Sequence, residues 1–357
     1  MRVAFVAART TFHHETERLA RLRDIAAGLV ARGHEVTWLC ARWWEGPHDE
    51  YESDDGVVYR GIADAPTSRW YPLKLPGALR SLSPDVVHAA ADVPGHAVAA
   101  RTGATLARAP LLVDWYDWET ATPSSRLRSW FAPAFRRRAA NAPDRLVAPS
   151  RTVKTRIREY GAEGADVSVI PTGVDFETIR GTDPEERADI VYARELDADA
   201  NLESLLLALA EFRTREWTAA VVGDGPEREA YEKQARELRI DDRVEFLGNQ
   251  PVERRLALFR GAHAAVYTGR RTPFPADLVR ALACGCVGIV EYHADSAAHE
   301  FVEREERGFR VTDEAELAAA LRAAGDIERK DVDESFERFG AGPVLKRYLD
   351  CYRELRA

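Results

Sequence analysis

Lysine and methionine are nearly missing from this chain: five lysines stand against 45 arginines, and there is a single methionine. That skew reads as a GC-rich coding bias more than as a mechanism. Cysteine is scarce as well. Cys40, Cys284, Cys286 and Cys351 include one close pair, and a lone CxC with no second pair and no nearby His is a poor zinc site, so buried free thiols in a reducing compartment are expected and no metal. No run reaches the roughly 20 apolar residues of a membrane span. The opening MRVAFVAART holds a four-residue apolar strand in place of a signal peptide's longer apolar region, which points to the cytoplasm, with peripheral attachment to the inner face of a membrane as a second placement. Basic excess is absent: the net charge of −9 excludes a protein that coats nucleic acid. The chain also lacks a GxGxxG fingerprint after its first strand, so a dinucleotide oxidoreductase loses its main support.

What is present is a repeated strand and helix pattern. With 357 residues, 45% of them hydrophobic, the chain is long enough for two α/β domains of similar size. Short apolar strands are expected at 3–7, 36–40, 57–60, 84–88, 111–114, 145–150 and 167–171. A first helix carries Leu19, Leu22, Ile25, Ala26 and Leu29 on one face and ends at Gly33. The same architecture restarts with strands at 190–193, 219–222, 244–247, 264–268 and 287–290 and helices between them, which argues for parallel sheets covered on both faces. The expected division is a first Rossmann-like domain over 1–176, a linker over 177–187, a second domain over 188–335, and a closing amphipathic helix over 336–357 that packs toward the first domain.

Residues 264–290, AAVYTGRRTPFPADLVRALACGCVGIV, form a complete strand, loop, helix, turn and strand unit. In an open parallel sheet, loops at the carboxyl ends of strands lead into helix amino termini, where backbone N–H groups favour phosphate. The plain alternative is a structural unit with no ligand.

Seven motifs then occur in order: RGHEV at 32–36, PDVVH at 84–88, PDRLVAPS at 143–150, VIPTGVD at 169–175, VVGDGPER at 221–228, VEFLG at 244–248 and ALACG at 281–285. Together, over nearly the whole chain, they resemble family 4 of the retaining glycosyltransferases. That resemblance implies the GT-B fold, two Rossmann-like domains facing a central cleft. It implies a nucleotide-sugar donor on the second domain and a glycan or lipid-linked acceptor on the first, hexosyl transfer with retention, and neither cofactor nor metal.

The resemblance also assigns residues. Arg194 matches the diphosphate-binding Arg of the family's GR motif, and Gly223, Asp224, Gly225 and Pro226 form the turn near the nucleotide. The family's pair of Glu residues falls on Thr272 and Arg280, and its diphosphate Lys falls on Ala200. Arg270, Arg271 and Arg280 around the donor loop are therefore candidates to compensate, with Thr272, Phe274 and Asp277 beside them; Asp277 and Arg280 read equally well as an i, i+3 surface pair. On the first domain His88 and Asp117 are the candidates to orient the acceptor, with Thr10, Thr11, His13, His14 and Asp114 near them. Residues 124–141 mix arginines with Trp130, Phe131 and Phe135, which fits an anionic membrane surface or a solvated helix with its aromatics turned inward. Loss of both carboxylates keeps a second reading open: a catalytically degenerate GT-B protein acting as a binding or regulatory scaffold.

Overall fold

The computed structural model describes residues 1–90, 94–116, 137–162, 166–211 and 216–357. The chain divides into two compact units, one of residues 1–173 with 342–357 and one of residues 174–341.

The first unit is built on eight strands: β1 (Arg2–Val6), β2 (Glu35–Ala41), β3 (Glu50–Glu52), β4 (Val58–Ala63), β5 (Val86–Ala90), β6 (Leu111–Asp114), β7 (Arg145–Ala148) and β8 (Val167–Val169). Their order is β3-β4-β2-β1-β5-β6-β7-β8. All neighbours are parallel except β3, which adds antiparallel to the edge of β4. Central strands such as β5 and β6 are buried along their length, because helices cover both faces. The helix Glu17–Val30 starts where the Thr16 hydroxyl accepts from Leu19 N–H, and it buries the expected Leu19, Leu22, Ile25, Ala26 and Leu29.

The helix Trp70–Leu82, to which the sequence reading gave no bounds, holds Pro76 inside it. A proline there removes one backbone hydrogen bond. Burial of Tyr71, Leu75 and Leu79 offsets that loss, at roughly 1.5–3 kcal/mol per large apolar side chain. Gly103 lets the neighbouring helix Pro94–Ala107 come close, because a Cβ there would stand 2.5 Å from Leu79 Cδ1. The helix Ala341–Arg356 belongs to this unit and buries Val344, Leu345, Tyr348, Leu349, Cys351 and Tyr352.

The second unit has a six-stranded parallel sheet of β9 (Ile190–Ala193), β10 (Ala219–Val222), β11 (Val244–Gly248), β12 (Ala264–Tyr267), β14 (Val287–Glu291) and β16 (Gly308–Val311). The order is β11-β10-β9-β12-β14-β16. Two short segments, β13 (Arg271–Thr272) and β15 (Asp295–Ser296), pair in parallel outside it.

Several boundaries differ from the sequence reading for local reasons. Within the expected linker, Phe176–Gly181 is helical, because Asp175 accepts from Thr178 N–H and caps it while Phe176 and Ile179 are buried. The closing element is a 3-10 turn, Glu334–Phe339, then the helix Ala341–Arg356; Gly340 between them is extended. The helix expected from Pro226 begins at Arg228, with Pro226 held in the preceding turn. No helix among the described residues is long and apolar enough to cross a membrane.

Candidate functional site

In the second sheet the chain runs outward from β9 through β10 to β11, then returns to the other side of β9 with β12 and runs outward through β14 to β16. The connections therefore diverge between β9 and β12, and the carboxyl ends of those two strands form a topological switch point, the usual crevice for a ligand in an open α/β sheet.

Arg194 is the first residue after β9. Its Nη2 donates to Asp197 Oδ1 at 2.9 Å, its Nε to Glu195 O at 3.2 Å, and its Nη1 to the hydroxyl of Tyr267, the last residue of β12, at 3.4 Å. The guanidinium also lies over the Tyr267 ring, 5.8 Å from its centre.

The GDGP turn holds the Arg194 loop from behind. Arg194 N donates to Val222 O at 3.0 Å, Leu196 N to Asp224 O at 3.0 Å, and Glu227 N to Leu196 O at 3.0 Å. Approach this close excludes side chains. A Cβ on Gly223 would sit 1.9 Å from Arg194 O, and one on Gly225 would sit 2.4 Å from Leu196 O. Gly223 also has φ of +133°, a conformation that other residues seldom adopt. Asp224 accepts from Gly225 N–H and faces Arg228. In this geometry the turn places the Arg194 backbone.

The loop after β12 supplies the second cation. Arg270 N donates to Asp199 O at 2.8 Å, and its Nη2 donates to Asn201 Oδ1 at 2.8 Å. Gly269 brings this loop against Arg194, since a Cβ on it would stand 1.9 Å from Arg194 Nη1. Arg194 and Arg270 thus flank the switch point from its two strands.

The other donor-loop residues have partners of their own, and Asp277 with Arg280 takes the second of its two expected placements, the i, i+3 pair. Arg280 donates to Asp277 Oδ1 at 2.8 Å, and Arg255 donates to the same carboxylate's other oxygen, so Asp277 and Arg280 form part of a helix-surface ion-pair group. Phe274 is 1% exposed and packs edge-on against Phe301 at 5.2 Å, which makes it a core residue. Thr272 is buried in the β13–β15 pair, where its carbonyl accepts from Ala297 N–H. Arg271 is half-buried beside Asp295 in that pair.

In the first unit His88 is 0% exposed, which overturns its expected place beside an acceptor. Its Nδ1 lies 2.6 Å from Tyr352 Oη, and its ring packs on Phe5 and Tyr348. Burial pushes the imidazole pKa down to about 4, with Asp114 opposing and Arg21 adding to the shift. Asp114 is interior too: it accepts from Arg21 Nε at 3.2 Å and from the Tyr348 hydroxyl. The helix Ala341–Arg356 packs on both residues: Tyr352 meets His88 Nδ1 and Tyr348 meets Asp114 Oδ2, while among the described residues His88 Nε2 and Asp114 Oδ1 are buried without a hydrogen-bond partner. Thr10 is fully buried against His13, while His14 is exposed. Asp117 and most of the 124–141 stretch lie outside the described residues. Among the described residues no group of His, Cys, Asp and Glu could hold a metal ion.

Asn201, Tyr267 and Glu291 join the switch point without having been singled out in the sequence. For Glu291 a signal exists in the sequence, a carboxylate ending the apolar strand VGIVE, and the structure buries it among polar partners.

Comparison with known proteins gives the same architecture. Residues 20–178 match the family model "Glycosyltransferase Family 4", and residues 175–338 match "Glycosyl transferases group 1". Glycogen synthase of Mycobacterium tuberculosis is 28% identical over 234 residues, 60% of this chain and 53% of that protein, so the chain spans about half the length of the curated relatives it matches. Among solved structures, sucrose-phosphate synthase from Thermosynechococcus elongatus is 17% identical with a TM-score of 0.75, covering 99% of both chains. Anabaena HepE, solved in complex with UDP, is 18% identical with a TM-score of 0.75, covering 99% of this chain and 100% of that one. At these identities the likeness is one of fold.

Proposed function

The chain belongs to the family 4-like glycosyltransferases of GT-B fold, and from that premise we propose that its second unit binds the diphosphate of a nucleotide-sugar at the β9/β12 switch point. The observation that carries this reading is the placement of Arg194 and Arg270 on the two sides of that point. In the reaction the bond between the sugar's anomeric carbon and the diphosphate oxygen breaks, and a bond to an acceptor hydroxyl forms. Negative charge grows on the leaving diphosphate, and two guanidinium groups held beforehand stabilise it without rearranging. A hexosyl donor, retention of configuration, and a glycan or lipid-linked acceptor are parts of the same proposal.

A second reading has its own support. Thr272 is buried, and Arg280 is tied to Asp277, so neither position offers the carboxylate that the family resemblance places there. A protein that binds nucleotide and serves as a scaffold fits that arrangement.

The test is a thermal-shift screen of the full chain against UDP, GDP, dTDP and their common sugar conjugates. A ligand at 100 times its Kd stabilises the folded state by about 2.7 kcal/mol. The expected result is a selective rise that Arg194→Ala abolishes and Arg280→Ala leaves in place. A folded protein that responds to none of these ligands overturns the donor-site reading. Binding without transfer to any acceptor moves the conclusion to the scaffold.

A further inference from the structure

Arg270 is exposed, and an arginine in a loop would ordinarily sample many rotamers. Here its Nη2 is met by Asn201 Oδ1 at 2.8 Å, and Asn201 is only 5% exposed. The other end of the Asn201 amide faces oxygen alone. Nδ2 lies 3.1 Å from Glu291 Oε2, 3.1 Å from Ser204 Oγ and 3.3 Å from Thr268 O.

That surround fixes the amide in one orientation. A flipped amide would set its carbonyl oxygen against a carboxylate and a backbone carbonyl, and would turn its NH2 toward a guanidinium that can only donate. A buried polar group left unpaired loses its hydration with nothing in return, so the flipped state is excluded. Glu291 dominates the choice because it is buried and, when ionised, accepts only.

The backbone of Asn201 is held equally firmly. It has φ of +52°, in the left-handed region that asparagine tolerates better than most residues. Thr268 Oγ1 donates to Asn201 O at 2.6 Å, and Tyr192 Oη donates to Ala200 O at 2.6 Å. Glu291 ends β14, Thr268 follows β12, and Asn201 precedes the helix Leu202–Glu211. Two neighbouring strands of the sheet, β12 and β14, therefore bring acceptors to one amide.

We infer that Glu291 and Asn201 are positioning residues that aim Arg270 at the diphosphate of a bound nucleotide, so that Arg270 supplies from the loop after β12 the cation that Ala200 cannot supply. The inference rests on the donor-site reading above. Glu291 acts through Asn201, and Asn201 through Arg270; neither needs to touch the ligand.

Binding of UDP and of uridine to the full chain, measured by calorimetry with GDP and dTDP as alternates, tests this chain of contacts. Arg270→Ala is expected to weaken diphosphate binding tenfold or more and to leave the nucleoside within about threefold, the scale of a lost charge-assisted hydrogen bond. Glu291→Gln can present its own NH2 to Asn201 and so permits the flipped amide. It is expected to weaken UDP about three- to tenfold and uridine not at all. The double variant should bind UDP no worse than Arg270→Ala alone, because both changes remove one effect. Additive losses in the double variant would overturn the relay. Arg270→Ala alters an exposed side chain and is expected to fold, so undiminished UDP binding in it overturns the inference whatever Glu291→Gln does. In that case loss of binding in Arg194→Ala leaves the donor-site reading standing; a wild-type chain that binds no diphosphate overturns both.

Discussion

His88 Nδ1 and Tyr352 Oη lie 2.6 Å apart, joining the middle of β5 to a helix 264 residues further along the chain. The pair has no exposure to solvent, and it sits beside the Arg21 and Asp114 side chains.

This burial carries a pH signature. The His88 pKa is about 4 in the fold against 6.5 for a free imidazole, so the unfolded chain takes up the proton first as pH falls. The contribution is complete above pH 6.5, declines below it and is gone near pH 4. It amounts to roughly 3 kcal/mol if the whole shift is realised. Hydrogen exchange of β5 at pH 7.5 and 4.5 reads this unit alone, and His88→Asn should lose less protection between the two pH values than the wild type. An equal loss in both would place the acid sensitivity elsewhere.

Breaking the neighbouring ion pair should cost more than replacing it. Arg21 and Asp114 are both buried, and Arg21 also donates to Thr172 and to Ile170 O. Asp114→Asn leaves a buried guanidinium without its counter-charge, with an expected loss of about 3–5 kcal/mol in urea denaturation. Arg21→Met with Asp114→Leu is expected to recover part of that loss.

Gly223 and Gly77 should respond in opposite directions to the same change. At Gly223 an added methyl meets Arg194 O, and the backbone is at positive φ, so Gly223→Ala is expected to cost about 2 kcal/mol or more and to abolish nucleotide binding. Gly77 lies inside the helix Trp70–Leu82 with nothing within 4 Å of an added Cβ. Gly77→Ala should therefore raise stability by about 0.5–1 kcal/mol. Melting curves of both variants, with and without the nucleotide selected in the screen, separate the two effects.

The thiols should be inert in the native protein. All four cysteines are buried and free, burial pushes Cys40 and Cys284 up to about 12, and Cys286 and Cys351 are also raised. A colorimetric thiol reagent at pH 8 is expected to label them only slowly, and to label all four after denaturation. Rapid labelling of the native chain would show that one of these sites opens.

Much of the scaffold was legible because its signals are local. The face of Leu19, Leu22, Ile25, Ala26 and Leu29, the apolar strands, the glycines of the GDGP turn and the position of Arg194 after β9 follow from periodicity and turn chemistry within short windows. The bounds of the helix Trp70–Leu82 are not legible locally, because Pro76 is a contrary signal that burial of Tyr71, Leu75 and Leu79 overrides.

The fate of the individual site candidates depended on distant chain segments. His88 and Asp114 were at strand positions compatible with a surface, and packing of Phe5, Arg21 and the helix Ala341–Arg356 made them interior. Arg270 and Arg280 were equivalent as cations in one loop and helix; the fold gave one to Asn201 and the other to Asp277. Asn201 and Glu291 are 90 residues apart, and nothing within either neighbourhood links them. Their contact exists because the strand order places β9, β12 and β14 side by side, an order set by burying every apolar face together. Sequence alone determined which segments become strands and helices and which loop carries Arg194. Tertiary structure decided which polar side chains are spent on one another and which are held toward a ligand.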